Sequence, residues 1–451
     1  MPNSYYIWTI GCQMNKADSE RLGASLDALG YRPASSPREA SVVVVNSCVV
    51  RQQAEDKAAS FLDSMKSLKH RRADTIIALT GCMVDARSQA LERRFPHVDL
   101  FLRPQRFEPL LELVQERGCI VAPPRVPSAG SGRSLGMRAL PAHPGVSAYI
   151  PINHGCDEMC TYCIIPFRRG REVSRPLDEL VGEASALVAR GAREVVLLGQ
   201  IVDTWGHDLP GAPDLADLLA ALDLIPGLHR IRFLTSHPRP LTPRIIEAIA
   251  RLPKVCEHIN LPVQAGDDEV LRRMRRTYTV AEYTDLVGRI RAAIPGVAIS
   301  TDVIVGFSGE DEVAFERTIR LLEEVRFDVV HVAMYSPRPG TYAGRDLPDD
   351  VPPEEKKRRL HAVEQLQERV STEINQRLSG QTVQVLVEGR KDGKWYGRTR
   401  TDKLVFFADE ADRQGQAVEV IVEGAGPWSL RGTPAPLVAA GVLRSAAACP
   451  P

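Results

Sequence analysis

The sequence predicts an α/β protein in three parts: an N-terminal parallel α/β domain, a central partial (β/α)6 barrel and a small C-terminal β-barrel. Three observations predict it. Apolar, β-branched runs alternate with helical stretches through the first 120 residues, and such alternation implies a parallel sheet. The alternation restarts after a break rich in Pro, Gly, Ser and Arg and passes through six further strand candidates, enough for a partial barrel. Beyond Gly380 the helical period gives way to short strands with Gly-containing turns, the pattern of a small β-barrel. A chain of 451 residues has room for two to four domains at about 100–200 residues each.

Element by element, residues 5–10 read as a strand ending at Gly11-Cys12, followed by a helix over 18–29. Residues 41–46 form a second, buried strand ending at Ser47-Cys48, with a helix over 52–69. Residues 75–80 form a third, ending at Gly81-Cys82, with a helix over 86–94. The cysteines are spaced by 36 and 34 residues, which fits successive βα units. Each therefore falls just past the carboxyl end of its strand, where open α/β sheets gather ligands. Residues 123–145 lack periodicity and read as a linker. Strands of the second series are expected at 147–152, 193–198, 230–234, 258–261, 298–305 and 328–333, with helices such as 178–190, 243–251 and 312–324. From Pro353, Leu360, Val363, Leu366, Val370, Ile374 and Leu378 recur at helical spacing, giving one long amphipathic helix stopped at Gly380. Short strands at 382–388, 394–399, 404–407 and 417–423 build the last domain, and an Ala- and Pro-rich tail starts at 432. The expected limits are 1–121 for the first domain, 122–145 for the linker, 146–378 for the barrel, 379–443 for the small barrel and 444–451 for the tail.

Composition narrows the function. Lys plus Arg and Asp plus Glu both number 57, so any nucleic-acid surface must be a local patch rather than a uniform cationic coat. No apolar run approaches the roughly 18 residues of a membrane span. Residues 1–5 carry neither a basic leader nor an apolar segment, so a cytoplasmic protein without membrane association is expected. Nine cysteines, an odd number in a long chain, argue against a disulfide framework. Cys119 and Cys256 read as buried small hydrophobes and Cys449 as a spare thiol.

The chemistry concentrates at Cys156-x3-Cys160-x2-Cys163, in the loop after the first strand of the second series. Three thiolates within eight residues can ligate three corners of a four-iron cluster, leaving one iron open to a chelating small molecule. The alternative is structural zinc, which takes four closed ligands. His154 is the available fourth, but it precedes Cys156 by only two residues, inside the same turn.

This motif, with Tyr162 just before its last cysteine, resembles the signature of radical S-adenosylmethionine enzymes. Its extension Ile164-Ile165-Pro166-Phe167-Arg168-Arg169-Gly170-Arg171-Glu172-Val173-Ser174-Arg175-Pro176 resembles the methylthiotransferase branch. Gly11-Cys12-Gln13-Met14-Asn15, Asn46-Ser47-Cys48 and Gly81-Cys82-Met83 are similar to that family's N-terminal three-cysteine domain, and the small barrel resembles its TRAM nucleic-acid-binding domain. Leu198-Gly199-Gln200, Thr235-Ser236-His237-Pro238, Leu261-Pro262-Val263-Gln264 and Gly397-Arg398-Thr399-Arg400-Thr401 look most like the MiaB type. The resemblance implies methylthiolation of C2 of N6-isopentenyladenosine 37 in tRNA. Relatives acting on threonylcarbamoyladenosine 37 of tRNA or on a ribosomal-protein aspartate are the alternatives within the family. A cysteine-rich RNA-binding protein with structural metals is the alternative outside enzymes.

The C2–H bond of adenine is unactivated, so a radical route is required, and a cofactor must carry it. The family mechanism implies two [4Fe-4S] clusters and S-adenosyl-L-methionine. A cluster on Cys156, Cys160 and Cys163 would reduce the sulfonium to give a 5′-deoxyadenosyl radical; a second, on Cys12, Cys48 and Cys82, would carry the sulfur that accepts a methyl group. Gly199-Gln200 stands at the superfamily's Gly-Gly-Glu position, where the Gln200 amide oxygen can still accept from the methionine ammonium. Ser236, Gln264 and Asp302 carry over as further cofactor contacts at strand ends, with Asp302 where the pattern often has Gly. Tyr162 would pack on the adenine. Partners implied are the tRNA anticodon stem-loop, an electron donor and a sulfur source, for a chain acting as a monomer.

Residues 389–403 carry Arg390, Lys391, Lys394, Arg398, Arg400 and Lys403 against Asp392 and Asp402, a net +4, with Trp395 and Tyr396 among them. Cations beside aromatic faces suit loop RNA. Arg168, Arg169, Arg171 and Arg175, and the cluster Arg272, Arg273, Arg275 and Arg276, are expected to extend that surface towards the active-site mouth.

Overall fold

The computed structural model describes residues 3–49, 52–84, 88–117 and 139–436. The N-terminal sheet has five parallel strands in the spatial order Arg32–Pro33, Ser4–Thr9, Val42–Ser47, Ile76–Gly81 and Leu100–Phe101. Its centre is Val42 to Val45, at most 1% exposed. Alternate side chains of that run enter opposite cores: Val42 and Val44 meet Leu22, Leu26, Leu110 and Val114, while Val43 and Val45 meet Ala58, Leu62, Met65 and Leu68. Helices on both faces are what a parallel sheet needs, because its crossovers cover it twice.

The helix expected over 18–29 runs Gln13–Ala28 and so begins directly after Cys12. The helix expected over 86–94 is Gln89–Arg94, with 85–87 outside the described residues. The two-residue edge strands and the helix Glu108–Arg117 escaped the sequence reading; a pair of residues is too short to show a period. Most of the expected linker, and Cys119 and Cys449, lie outside the described residues.

The central strands are Ser147–Pro151, Glu194–Leu198, Arg230–Phe233, His258–Asn260, Ala298–Val305 and Val329–Met334. They form two three-stranded parallel sheets. A bridge between Ile231 and Val255 links the third strand to the segment leading into the fourth, and Ser236 N donates to Asn260 O at 2.9 Å. Helix starts are fixed by side-chain caps at Asp214, Thr242, Asp267, Thr279 and Asp311, each worth about 0.5–2 kcal/mol. No described helix is long and apolar enough to cross a membrane.

The chain divides between Val370 and Ser371 into two compact units. In the second, five strands close a barrel in the order Thr382–Lys391, Lys394–Arg398, Leu404–Phe407, Leu430–Pro434 and Ala417–Ala425. The sequence reading missed Leu430–Pro434, because Gly432 and Pro434 look like the start of a tail. That strand closes the barrel, parallel to Leu404–Phe407 and antiparallel to Ala417–Ala425, leaving no free edge between them. Val385, Val387, Val405, Phe407, Val420 and Leu430 fill the interior.

Candidate metal centres and cofactor cleft

The N-terminal triad is set by sheet register. Thr9 pairs with Asn46 and Asn46 with Thr80, so the three strands end side by side and their following residues share one rim. Cys82 N donates to Ser47 O at 2.9 Å. Gly81 has φ +92°, and a Cβ there would meet Ser47 O at 2.2 Å, so only glycine allows this approach. A Cβ on Gly11 would come within 3.0 Å of Cys48 Cβ, which brings the first and second strand ends together. Two buried asparagines clasp the rim: Asn15 Nδ2 donates to Asn46 Oδ1 at 2.7 Å and to Ser47 O at 3.0 Å, and Asn46 Nδ2 returns to Asn15 O at 2.9 Å. Asn15 Oδ1 then accepts from Cys12 Sγ at 3.2 Å. Cys48 and Cys82 are buried and Cys12 is exposed. The asparagines sit inside the quoted motifs; their polarity at buried positions, Asn46 near a strand end and Asn15 in the first turn of the helix after Cys12, was the signal for this role.

Cys156, Cys160 and Cys163 follow the short strand Asn153–His154. Their loop is pinned to the barrel: Cys156 N donates to Gly170 O at 3.1 Å, Thr161 Oγ1 to Arg273 O at 2.8 Å, and Ala343 N to Thr161 O at 2.8 Å. Burial pushes the Cys156 and Cys163 thiols up to about 12. Both stay protonated at neutral pH until a cation compensates them, so iron binding would release protons. Arg276 Nη1 donates to Cys160 Sγ at 3.4 Å, while its other nitrogens reach Pro262 O and Tyr278 Oη.

The two triads are joined through the segment after Cys163. Ile164 packs into the N-terminal core beside Cys82, Met83 and Val84. Arg169, at the end of the helix Ile165–Arg169, meets Asp18 at 3.4 Å and lies near enough to the Cys82 thiol for its charge to act there. Among the described residues no three of His, Cys, Asp and Glu gather tightly enough to hold a single metal ion. A four-iron cluster is larger, so its three thiolates surround it from farther apart. The donor set is free thiols throughout, the chemistry that iron–sulfur ligation requires. Burial, with Arg169 and Arg106 nearby, pushes His154 down to about 4, and its Nδ1 is buried with no hydrogen-bond partner.

The remaining cofactor candidates are distributed as follows. Gln200 Oε1 is buried and accepts from nothing in the protein, an acceptor in keeping with the ammonium contact expected there. Ser236 is buried and donates to Asp203 Oδ1 at 3.0 Å. Gln264 holds a left-handed φ of 73°, fixed by Gln264 N donating to Asp302 O and Ile304 N to Gln264 O, both at 2.9 Å. Asp302 is in mid-strand rather than at the strand end, because the strand continues to Val305; it accepts from Asn260 Nδ2 at 3.2 Å. The Tyr162 ring stands edge-on to Phe307 with centroids 6.3 Å apart, and burial pushes its phenol upward. Asp203 escaped the sequence reading. Burial pushes its carboxyl up to about 7, and it accepts from His237 N at 2.7 Å as well as from Ser236. Cys256 is buried, as a small hydrophobe should be.

Several cations expected at a surface are internal. Arg169 is buried against Asp18, and Arg175 against Glu183 and Glu179. Arg276 serves Cys160. Arg272 and Arg273 stay at the surface, paired with the exposed Glu269. Arg171 is exposed and pairs with Asp157; Arg275 lies over the Tyr342 ring at 5.9 Å.

The small barrel also alters one expectation. Trp395 belongs to the barrel core and donates Nε1–H to Asp409 O at 3.1 Å, so its ring is not an open stacking face. Strand alternation explains this: Trp395 and Gly397 point in, while Lys394, Tyr396 and Arg398 point out. Tyr396 lies 6.2 Å from Phe406 across the strand pair. The Arg390 guanidinium lies over the Trp395 ring, 5.5 Å from its centroid, and Arg398 pairs with Asp402 and Glu388. Arg400 is half-buried.

Comparison with known proteins agrees with this architecture. The chain matches the Radical SAM superfamily over residues 150–322, the uncharacterized protein family UPF0004 over 4–103 and the TRAM domain over 376–435. The radical S-adenosylmethionine methyltransferase TsrM from Kitasatospora setae shares the fold, with TM-score 0.55 at 16% identity over 76% of this chain and 75% of that one. The barrel and its three-cysteine loop thus define a radical S-adenosylmethionine protein, a class that uses a [4Fe-4S] cluster with S-adenosylmethionine. The chain is 51% identical over 433 residues (95% of this chain, 89% of the relative) to the tRNA-2-methylthio-N(6)-dimethylallyladenosine synthase of Roseiflexus sp. (strain RS-1). It is 50% identical over 434 residues (95% and 91%) to the protein of that name from Chloroflexus aurantiacus. It belongs to the tRNA-2-methylthio-N(6)-dimethylallyladenosine synthase family.

Proposed function

We infer that this protein inserts a methylthio group at C2 of N6-isopentenyladenosine 37 in tRNA. The observation that carries the reading is the pair of three-thiol sets joined through Ile164 and Arg169. Cys156, Cys160 and Cys163 would hold the cluster that binds S-adenosylmethionine; Cys12, Cys48 and Cys82 would hold an auxiliary one. Together these groups supply one-electron access to an unactivated C–H bond and a sulfur able to carry a methyl group.

The chain's own residues bind and orient. Gln200 Oε1 accepts from the methionine ammonium, and Tyr162 packs beside the adenine. Gln264 and Asp302 line the same cleft. Asp203 holds Ser236 and the His237 backbone in place. The exposure of Cys12 leaves the auxiliary site open to the substrate base. An electron donor and a sulfur source complete the stoichiometry, and the working unit is a cytoplasmic monomer with domains divided at 121, 145 and 378.

Nucleoside mass spectrometry of tRNA from a strain lacking the gene tests this. 2-Methylthio-N6-isopentenyladenosine should disappear and return with the intact gene. Loss of the threonylcarbamoyl analogue instead would overturn the substrate assignment.

The anticodon stem-loop is assigned to the outer face of the small barrel, on Lys394, Tyr396, Arg398 and Arg400 with Arg390 beside them. The double variant R398Q/R400Q should weaken tRNA binding and flatten its salt dependence, by about 0.7 in the log–log slope for each phosphate no longer neutralised. An unchanged slope in a filter-binding salt series removes the barrel from the interface.

A further inference from the structure

Arg169 is a buried cation that no surface role explains. It ends the helix that follows Cys163, and its side chain is 2% exposed. The guanidinium meets Asp18 Oδ2 at 3.4 Å; Asp18 is also 2% exposed, and its other oxygen accepts from Gln105 Nε2 at 3.3 Å. Asp18 stands six residues after Cys12 on the helix that Cys12 opens. The Cys82 and Cys12 thiols lie near enough to the same guanidinium for its charge to be felt at both, and Ile164, just before its helix, packs beside Cys82. One buried cation, carried by the segment of the first cysteine set, therefore stands beside the second.

We propose that Arg169 is a positioning residue for the auxiliary cluster: oriented by Asp18, it donates to the Cys82 thiolate and stabilises the extra negative charge that this cluster gains on one-electron reduction. The inference rests on the two-cluster reading above. Hydrogen bonds to ligating sulfurs and local charge set the potential of such clusters. A cation at contact in a low-dielectric site favours the more negative form. Asp18 fixes the guanidinium but opposes it in sign, so the two residues pull the potential in opposite directions. Arg276 is bonded to Cys160 instead and belongs to the other set.

The test is an EPR-monitored titration with dithionite, on the reconstituted full chain carrying C156A/C160A/C163A so that only the N-terminal set remains. R169Q should lower the midpoint by at least 59 mV, a tenfold fall in the reduced-to-oxidised ratio at fixed potential. D18N should raise it, D18N/R169Q should fall between the single variants, and R169K should recover most of the parent value. Midpoints unmoved in both single variants, or moved in the same direction, overturn the inference. Iron loading that fails in R169Q but survives in R169K supports it; loading that fails in R169Q, R169K and D18N alike overturns it in favour of a purely structural ion pair. If the parent binds no iron, the two-cluster reading falls and takes the inference with it. If it binds about four irons and the potentials stay fixed, only the inference falls.

Discussion

Alanine at Cys156, Cys160 and Cys163 together should halve bound iron, from about eight to about four per chain, and abolish 5′-deoxyadenosine formation on reduction. Alanine at Cys12, Cys48 and Cys82 should remove the same amount of iron yet leave 5′-deoxyadenosine measurable, while the methylthiolated nucleoside vanishes. The asymmetry follows from the surroundings of each set. The barrel also carries Gln200, after the strand Glu194–Leu198; its buried Oε1 accepts from nothing in the protein and is the proposed contact for the S-adenosylmethionine ammonium. The N-terminal rim instead presents the exposed Cys12. Iron analysis, product chromatography and nucleoside mass spectrometry on the two triple variants read the three quantities. Methylthiolation surviving in the N-terminal variant, or full iron in either, would end the two-cluster account.

Glu183→Ala should destabilise the first unit by about 3–5 kcal/mol, the usual cost of breaking a buried ion pair from one side. Glu183 is 6% exposed at its side chain and bridges two buried guanidiniums: Oε1 takes Arg21 and Oε2 takes Arg175 at 2.5 Å. Arg175 keeps Glu179 and Pro151 O, and Arg21 loses its ion pair with Glu183. Arg21 lies on the helix that Cys12 opens, and Arg175 lies on the segment that follows the barrel's cysteine loop, just past the short strand Val173–Ser174. The bridge therefore ties the two cysteine-bearing segments together. The variant should lose methylthiolation more steeply than S-adenosylmethionine cleavage, since only the former needs both sets aligned. A lowered urea midpoint at unchanged slope measures the stability change, and a loss below about 1 kcal/mol contradicts this account of the bridge.

Much of the frame was legible because it repeats. Val42 to Val45 declares a strand buried on both faces, and the cysteine after each of three strands falls on one rim because parallel strands joined by crossovers end on the same side. The long strand Ala298–Val305 and the helix Pro243–Arg251 fall where the sequence reading puts them. The two-residue edge strands carry too few residues to show a period, and the closing strand Leu430–Pro434 is hidden by Gly432 and Pro434, which look like a tail. The inward turn of Trp395 was readable, since Lys394, Tyr396 and Arg398 mark the other face; composition of the patch obscured it.

The chain by itself determined the element order, the two cysteine sets and the family to which they belong, because those depend on local spacing and on residues close in sequence. Only the tertiary structure decided the fate of the arginines. Arg169 and Asp18 are 151 residues apart, Arg276 and Cys160 are 116 apart, and Arg21 and Glu183 are 162 apart. A guanidinium reads as a surface cation until folding brings a carboxylate or sulfur to it. Only that partner repays the desolvation of burial, and it lies on another element.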